Sequence, residues 1–120
     1  VLVHGVRYVS ELAYHDYILK ELPHHEFLGE SISRQLIYYP TVTREPYRNQ
    51  GRLTDLVESG KLFEDIGLPP LDPAVDRAMI CGSAAMLKDS RAMLDNRGFR
   101  MSRRIGDVAD YVIEHAFIEK

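Results

Sequence analysis

Four arginines lie in two polar segments of the chain that are suited to binding phosphate. Arg7 follows a short apolar run, and Arg44, Arg48 and Arg52 lie in the polar stretch 43–52. A guanidinium keeps its charge at physiological pH and can donate two parallel hydrogen bonds to phosphate oxygens. Converging arginines would therefore bind a phosphate monoester. The alternative is that all four are ordinary solvated loop side chains.

A second candidate is the run Cys81-Gly82-Ser83, which separates an apolar run from a segment of helical periodicity. Small residues at such a junction let a ligand approach the backbone, and the free amides at a helix start favour an anion. The alternative is that Cys81 is simply a small buried core residue.

The elements that would position these residues alternate between strands and helices. Apolar, β-branched runs predict strands, and 3.6-residue periodicity predicts helices. The predicted elements are a two-face-buried strand at 1–3, a helix at 10–22, a strand at 36–42, short helical turns between 53 and 63, a buried strand at 78–81, a helix at 84–97 closed by Gly98, and a strand at 111–117.

This order predicts an α/β fold with a parallel sheet and flanking helices. Ligands of such sheets bind beyond the carboxyl ends of the strands, which is where the candidate residues fall. In dinucleotide-binding folds, an arginine near this edge accommodates the 2′-phosphate that distinguishes NADP from NAD.

Composition argues against several classes of protein. A chain of 120 residues with a net charge of −3 is one domain at most and lacks the basic surface of a dedicated nucleic-acid binder. One cysteine cannot form an internal disulfide or a four-thiolate metal site. The five histidines lack metal-binding spacing, so we predict no metal site. No run of residues is long and apolar enough to span a membrane, and no leader opens the chain, so a reducing cytoplasm is the expected location.

Several motifs occur in a recognisable order along the whole chain. They are His4-Gly5-Val6-Arg7, Thr41-Val42-Thr43-Arg44-Glu45-Pro46, Gly51-Arg52, Gly67-Leu68-Pro69-Pro70, Met79-Ile80-Cys81-Gly82-Ser83 and Tyr111-Val112-Ile113-Glu114. In this order they resemble the NADP-binding half of bacterial ferredoxin (flavodoxin)–NADP⁺ reductases.

The resemblance implies roles for residues at the first edge of the sheet. Arg44 and Arg52 would hold the 2′-phosphate of NADP(H), and Arg7 would approach the adenosine phosphates. Thr43 and the Gly82-Ser83 backbone would line the dinucleotide groove.

The resemblance also implies residues close to the redox chemistry. Cys81 would lie against the nicotinamide ring, with the acidic Glu114 beside it. Ala116 and Phe117 would belong to a carboxy-terminal tail that covers the ring of FAD.

Members of this family carry an FAD-binding β-barrel before the NADP-binding domain, whose Rossmann-like sheet has the strand order 3-2-1-4-5. Because the chain opens on an apolar run without methionine, we expect residues 1–120 to be the NADP(H)-binding domain, truncated at its N-terminus and lacking the barrel and the first, central strand. The remaining strands would close up as 3-2-4-5, pair with another chain, or be unstable alone.

The full-length protein would transfer electrons between NADPH and ferredoxin or flavodoxin, whereas the fragment alone would be inactive. Two other functions stay open: a nucleotide- or anion-binding α/β module without catalysis, and the reductase part of an oxygenase system. Ala84 stands where the family commonly has proline, and His115 where it usually has arginine. The second difference puts in doubt a fixed cation near the flavin.

Overall fold

The computed structural model describes residues 1–104 and 106–115 and divides into two compact units, Val1–Ile66 and Gly67–Lys120. Among the described residues, each unit contains one pair of parallel strands, with several helices in the first unit and one in the second. The predicted combination of parallel strands and helices is therefore confirmed. Among the described residues, no helix has the length and apolar character needed to cross a membrane.

The first unit is built on strands β1 (Leu2–Val6) and β2 (Tyr38–Val42), which pair in parallel from Leu2 opposite Tyr38 to Val6 opposite Val42. Helix α1 (Gly29–Gln35) precedes β2, and helices α2 (Leu53–Glu58) and α3 (Lys61–Ile66) follow it. The core of this unit consists of Tyr39, Val42, Leu56, Val57, Leu62 and Phe63.

The first strand runs further than the sequence indicated. His4 and Gly5 were expected to end it, but both lie inside β1, opposite Pro40 and Thr41. A Cβ added to Gly5 would meet Thr41 Cγ2 at 3.7 Å, an ordinary contact, so this glycine does not interrupt the strand. Pairing with β2 therefore extends the strand beyond its apolar residues.

The predicted helix over 10–22 is wrong as a continuous element. The segment contains two 3₁₀ turns, Val9–Glu11 and Leu22–His24, separated by a π-helical turn at Tyr17–Glu21. Tyr14 interrupts the segment because its φ of 65° lies in the left-handed region, which an α-helix cannot contain. Helix α1 was not predicted.

The second unit follows the sequence more closely. Strand β3 (Ala78–Cys81) pairs in parallel with β4 (Tyr111–Glu114), and helix α4 (Ala84–Asn96) lies between them in the chain. The predicted Gly98 follows the helix with a φ of 87°, as expected of a helix-terminating glycine. The buried apolar residues are Leu87, Met93, Leu94, Phe99 and Tyr111.

The two strand pairs form separate two-stranded sheets among the described residues, so the expected closure as 3-2-4-5 is not observed. The predicted burial of β1 and β3 is also wrong: Leu2 is 43 % exposed and Met79 is 86 % exposed. Their hydrogen bonds run only to β2 and β4 respectively within the described chain, which leaves each strand with an unpaired edge.

In each unit a buried tyrosine of a strand donates its hydroxyl to an aspartate of a helix. Tyr39 Oη lies 2.6 Å from Asp65 Oδ2, and Tyr111 Oη lies 2.5 Å from Asp95 Oδ1. Burial, then hydrogen bonding to the carboxylate, raises the pKa of both phenols from 10 to about 12. The neutral phenol is therefore the form that stabilises the folded chain.

We expect these tyrosines to make the protein less stable at alkaline pH. The folded state retains protons that the unfolded chain releases near pH 10, so this stabilisation is complete below that pH and is lost as the pH rises towards about 12. Urea unfolding of the intact protein between neutral pH and about pH 11 should give a falling free energy of unfolding. The Tyr39→Phe, Tyr111→Phe double variant should show a shallower fall, and the exposed control Tyr14→Phe the wild-type slope. An equal slope in the double variant would contradict the assignment.

Candidate functional site

The carboxyl ends of β1 and β2 bring Arg7 and Arg44 together in the first unit. Beyond the paired residues Val6 and Val42, two further backbone hydrogen bonds continue the ladder: Thr43 N donates to Val6 O at 3.0 Å, and Arg44 N to Arg7 O at 2.9 Å. The two arginines are therefore adjacent, although they are 37 positions apart in sequence.

The loop after β2 runs back alongside the end of the strand, so that Arg52 lies near the same edge. Val42 N donates to Asn49 O at 3.1 Å, and Gly51 N donates to Val42 O at 3.1 Å. The Thr41 hydroxyl donates to Gly51 O at 2.8 Å. Arg52 follows Gly51 directly and is the residue before α2.

The side chains at this edge are accessible to an anion, and the arginines among them carry the positive charge that would attract it. Arg7, Arg44 and Arg52 are all exposed, and Thr43 is half-buried. Within residues 1–104 and 106–115, Arg44 and Arg52 form no ion pair, so their guanidinium groups have donors to offer. The residues present therefore fit a phosphate group.

Arg7 has a carboxylate partner in the same segment. Its Nη2 donates to Glu11 Oε2 at 3.1 Å, and the other oxygen of Glu11 accepts from Tyr8 N at 3.0 Å. The hydrogen bond from Arg7, followed by that from Tyr8, lowers the pKa of Glu11. The spacing of four residues between Arg7 and Glu11 could have indicated this pair from the sequence.

A second carboxylate links the two arginine-bearing segments. Glu45 Oε1 accepts a hydrogen bond of 2.5 Å from Val9 N, across 36 positions of sequence. No local spacing points to this contact, and sequence reasoning missed it. Glu45 is half-buried, unlike the exposed Arg44 that precedes it.

The carboxyl ends of β3 and β4 bring Cys81 and Glu114 together in the second unit. The two residues are directly opposite each other as the last pair of the parallel ladder, so their side chains leave the sheet on the same side. Both are exposed, and Cys81 is a free thiol. The alternative of a buried core cysteine is therefore wrong, since the β3 edge beside it is open.

Gly82 and Ser83 form the junction between β3 and α4. Ser83 is the N-cap of the helix, where its hydroxyl accepts from Met86 N at 3.3 Å. A Cβ on residue 82 would lie 2.2 Å from Met86 Sδ and 3.2 Å from Met86 Cγ. A side chain at position 82 would therefore require Met86 to change its rotamer.

The remaining predicted site residues, Ala116 and Phe117, lie outside the described residues. In the parts of the chain that the structure describes, no three His, Cys, Asp or Glu side chains gather as a metal-binding group.

No family model matches the chain, but individual proteins do. The chain is 63 % identical to the ferredoxin–NADP reductase of Pseudomonas aeruginosa and 61 % identical to that of Azotobacter vinelandii. Each alignment covers the whole of this chain and 46 % of the relative. The flavodoxin/ferredoxin–NADP reductase of Rhodobacter capsulatus is 39 % identical over 98 % of the chain. The chain thus spans about half the length of the curated relatives it matches, and the predicted resemblance is confirmed.

A solved structure shares the fold. The crystal structure of a ferredoxin NADP⁺ reductase from Neisseria gonorrhoeae, with bound FAD and NADP, matches 94 % of this chain and 42 % of that one, with a TM-score of 0.73 and 22 % identity. The predicted α/β, Rossmann-like fold class is confirmed by this match.

We expect Gly82→Ala to destabilise the junction between β3 and α4. The new methyl group would displace the flexible end of the half-buried Met86 side chain, at a cost of about 0.5–1.5 kcal/mol in the free energy of unfolding. Met86→Ala should relieve most of that cost, so the two substitutions combined should be far from additive in a double-mutant cycle on the intact protein. Gly5→Ala, whose added Cβ has only ordinary contacts, is the matched control. Additive effects of the two substitutions would disprove the packing argument.

Proposed function

We propose that this chain, which belongs by sequence to the bacterial ferredoxin–NADP reductases, is the NADP(H)-binding part of a flavin-dependent reductase. The complete protein would transfer electrons between NADPH and ferredoxin or flavodoxin, the carriers named for its relatives. The observation that carries the proposal is the edge of the β1–β2 sheet, where Arg7 and Arg44 are adjacent and Arg52 follows the returning loop.

The first edge would recognise the phosphorylated end of the nucleotide. Arg44 and Arg52, which have no carboxylate partner in the described chain, would bind the 2′-phosphate. Arg7 would bind the adenosine phosphates by exchanging its exposed contact with Glu11 for a phosphate oxygen. Thr43, whose hydroxyl lies 3.4 Å from Val6 O, would line the groove beside them.

The second edge would meet the nicotinamide. Cys81 would lie against the ring, and Glu114, its neighbour across the β3–β4 ladder, would lie beside it. The backbone of Gly82 and Ser83 would approach the dinucleotide, since Ser83 is the N-cap of a thirteen-residue helix whose first amides favour an anion.

FAD would be held mainly by a β-barrel outside this chain, with Ala116 and Phe117 covering its ring. When bound, the flavin supplies hydride and single-electron chemistry, while this chain would bind and orient NADP(H). On this account residues 1–120 are the NADP(H)-binding domain without its first strand and are inactive alone. The relatives, of which this chain covers 46 %, and the open edges of β1 and β3 support this division.

We also assign the protein to the cytoplasm. An exposed free thiol such as Cys81 persists in a reducing compartment and is prone to oxidation elsewhere.

The proposal predicts that the intact protein distinguishes NADPH from NADH through Arg44. The 2′-phosphate carries about two negative charges, and each charge-assisted bond to it is worth roughly 1.5–3 kcal/mol. Arg44→Ala should therefore raise the KM for NADPH at least about tenfold while leaving the KM for NADH unchanged.

Arg48→Ala is the matched control, because Arg48 is an exposed arginine of the same loop to which we assign no contact. It should leave both KM values at their wild-type levels. An equal rise for NADPH and NADH in Arg44→Ala would overturn the assignment of the 2′-phosphate.

A further inference from the structure

We propose that Glu45 is a positioning residue that holds the Arg7 segment against the Arg44 segment and thereby sets the preference for a 2′-phosphorylated nucleotide. The inference rests on the proposed function and adds to it a residue that touches no part of the nucleotide. Its basis is the hydrogen bond from Val9 N to Glu45 Oε1, at 2.5 Å.

This bond extends the connection between the two segments beyond the sheet. The last backbone bond of the ladder joins Arg44 N to Arg7 O. After this bond the two segments of the chain separate. Residues 9–11 form a 3₁₀ helix, and residues 43–52 form the loop that leads to α2. Glu45, one position after Arg44, spans this separation with its side chain, which accepts from Val9 N, two positions after Arg7.

The nearby carboxylate of Glu11 does not link the two segments. Glu11 binds Tyr8 N and Arg7 within its own segment, so it shapes that segment without linking it to Arg44. Among the described side chains, that of Glu45 alone forms a hydrogen bond between residues 8–11 and residues 43–46.

The charge of Glu45 opposes the binding of an anion. A carboxylate one residue from Arg44 in sequence reduces the positive potential that a phosphate at this edge would meet. Glu45 forms no ion pair in the described chain that would offset this effect. Any favourable effect of Glu45 on nucleotide binding must therefore come from the hydrogen bond that its oxygen accepts from Val9 N. The charge of the side chain and its length can be changed separately by substitution.

Two conservative variants of the intact protein separate them. Glu45→Gln keeps an acceptor oxygen at the same reach and removes the charge, so its KM for NADPH should equal or fall below that of the wild type. Glu45→Asp keeps the charge but is one methylene shorter. Its KM for NADPH should rise about tenfold, equivalent to about 1.4 kcal/mol, and by more than its KM for NADH, with kcat unchanged. Glu58→Gln and Glu58→Asp, at an exposed glutamate of α2, are the matched controls.

Hydrogen exchange at the Val9 amide tests the same contact without any nucleotide. Exchange should be faster in Glu45→Asp than in the wild type and close to the wild-type rate in Glu45→Gln. Equal exchange rates in the two variants, or a loss of NADPH preference in Glu45→Gln as large as in Glu45→Asp, would overturn the inference.

The Arg44→Ala variant shows whether a negative result concerns only the role of Glu45 or the proposed phosphate site as well. If Arg44→Ala abolishes the preference for NADPH and Glu45→Asp retains it, the positioning role is wrong and the phosphate site stands. If Arg44→Ala itself retains the preference, the phosphate site is wrong, and the role of Glu45 falls with it.

Discussion

The parallel register of β1 and β2 is the constraint on which the first candidate site depends. Because Val6 lies opposite Val42, the next two backbone bonds place Arg44 beside Arg7 without any further device. The returning loop uses the same strand end, since Val42 also bonds to Asn49 and Gly51 and so brings Arg52 to this edge. A slip of one residue would reverse the faces of the strand side chains and separate the arginines from each other.

The charges at this edge are arranged so that an anion can enter. The ion pair of Arg7 with Glu11 is largely exposed, and such pairs stabilise a protein by only about 0–1 kcal/mol. A phosphate can therefore replace Glu11 at little cost. Glu45, in contrast, accepts from the backbone amide of Val9 in the other segment, so the carboxylate that pairs with Arg7 and the carboxylate that joins the two segments are different residues.

The sequence predicted elements where local signals agreed with the final packing. Helix α4 is the clearest case, because Ser83 caps its start and Gly98 follows its end. Prediction failed where a distant contact decided the structure: β1 continues through His4 and Gly5 because β2 pairs with it, and the segment after it is broken at the left-handed Tyr14. The site residues could be anticipated from strand ends, but the link from Glu45 to Val9 carries no local signal.

A crystal structure of the intact protein with a 2′-phosphorylated adenosine nucleotide would show whether Arg44 and Arg52 share one phosphate. We expect guanidinium nitrogens of both residues within about 3 Å of oxygens of the single 2′-phosphate, beside an unchanged β1–β2 register. A phosphate bound elsewhere, or both guanidinium groups pointing away from it, would contradict the account.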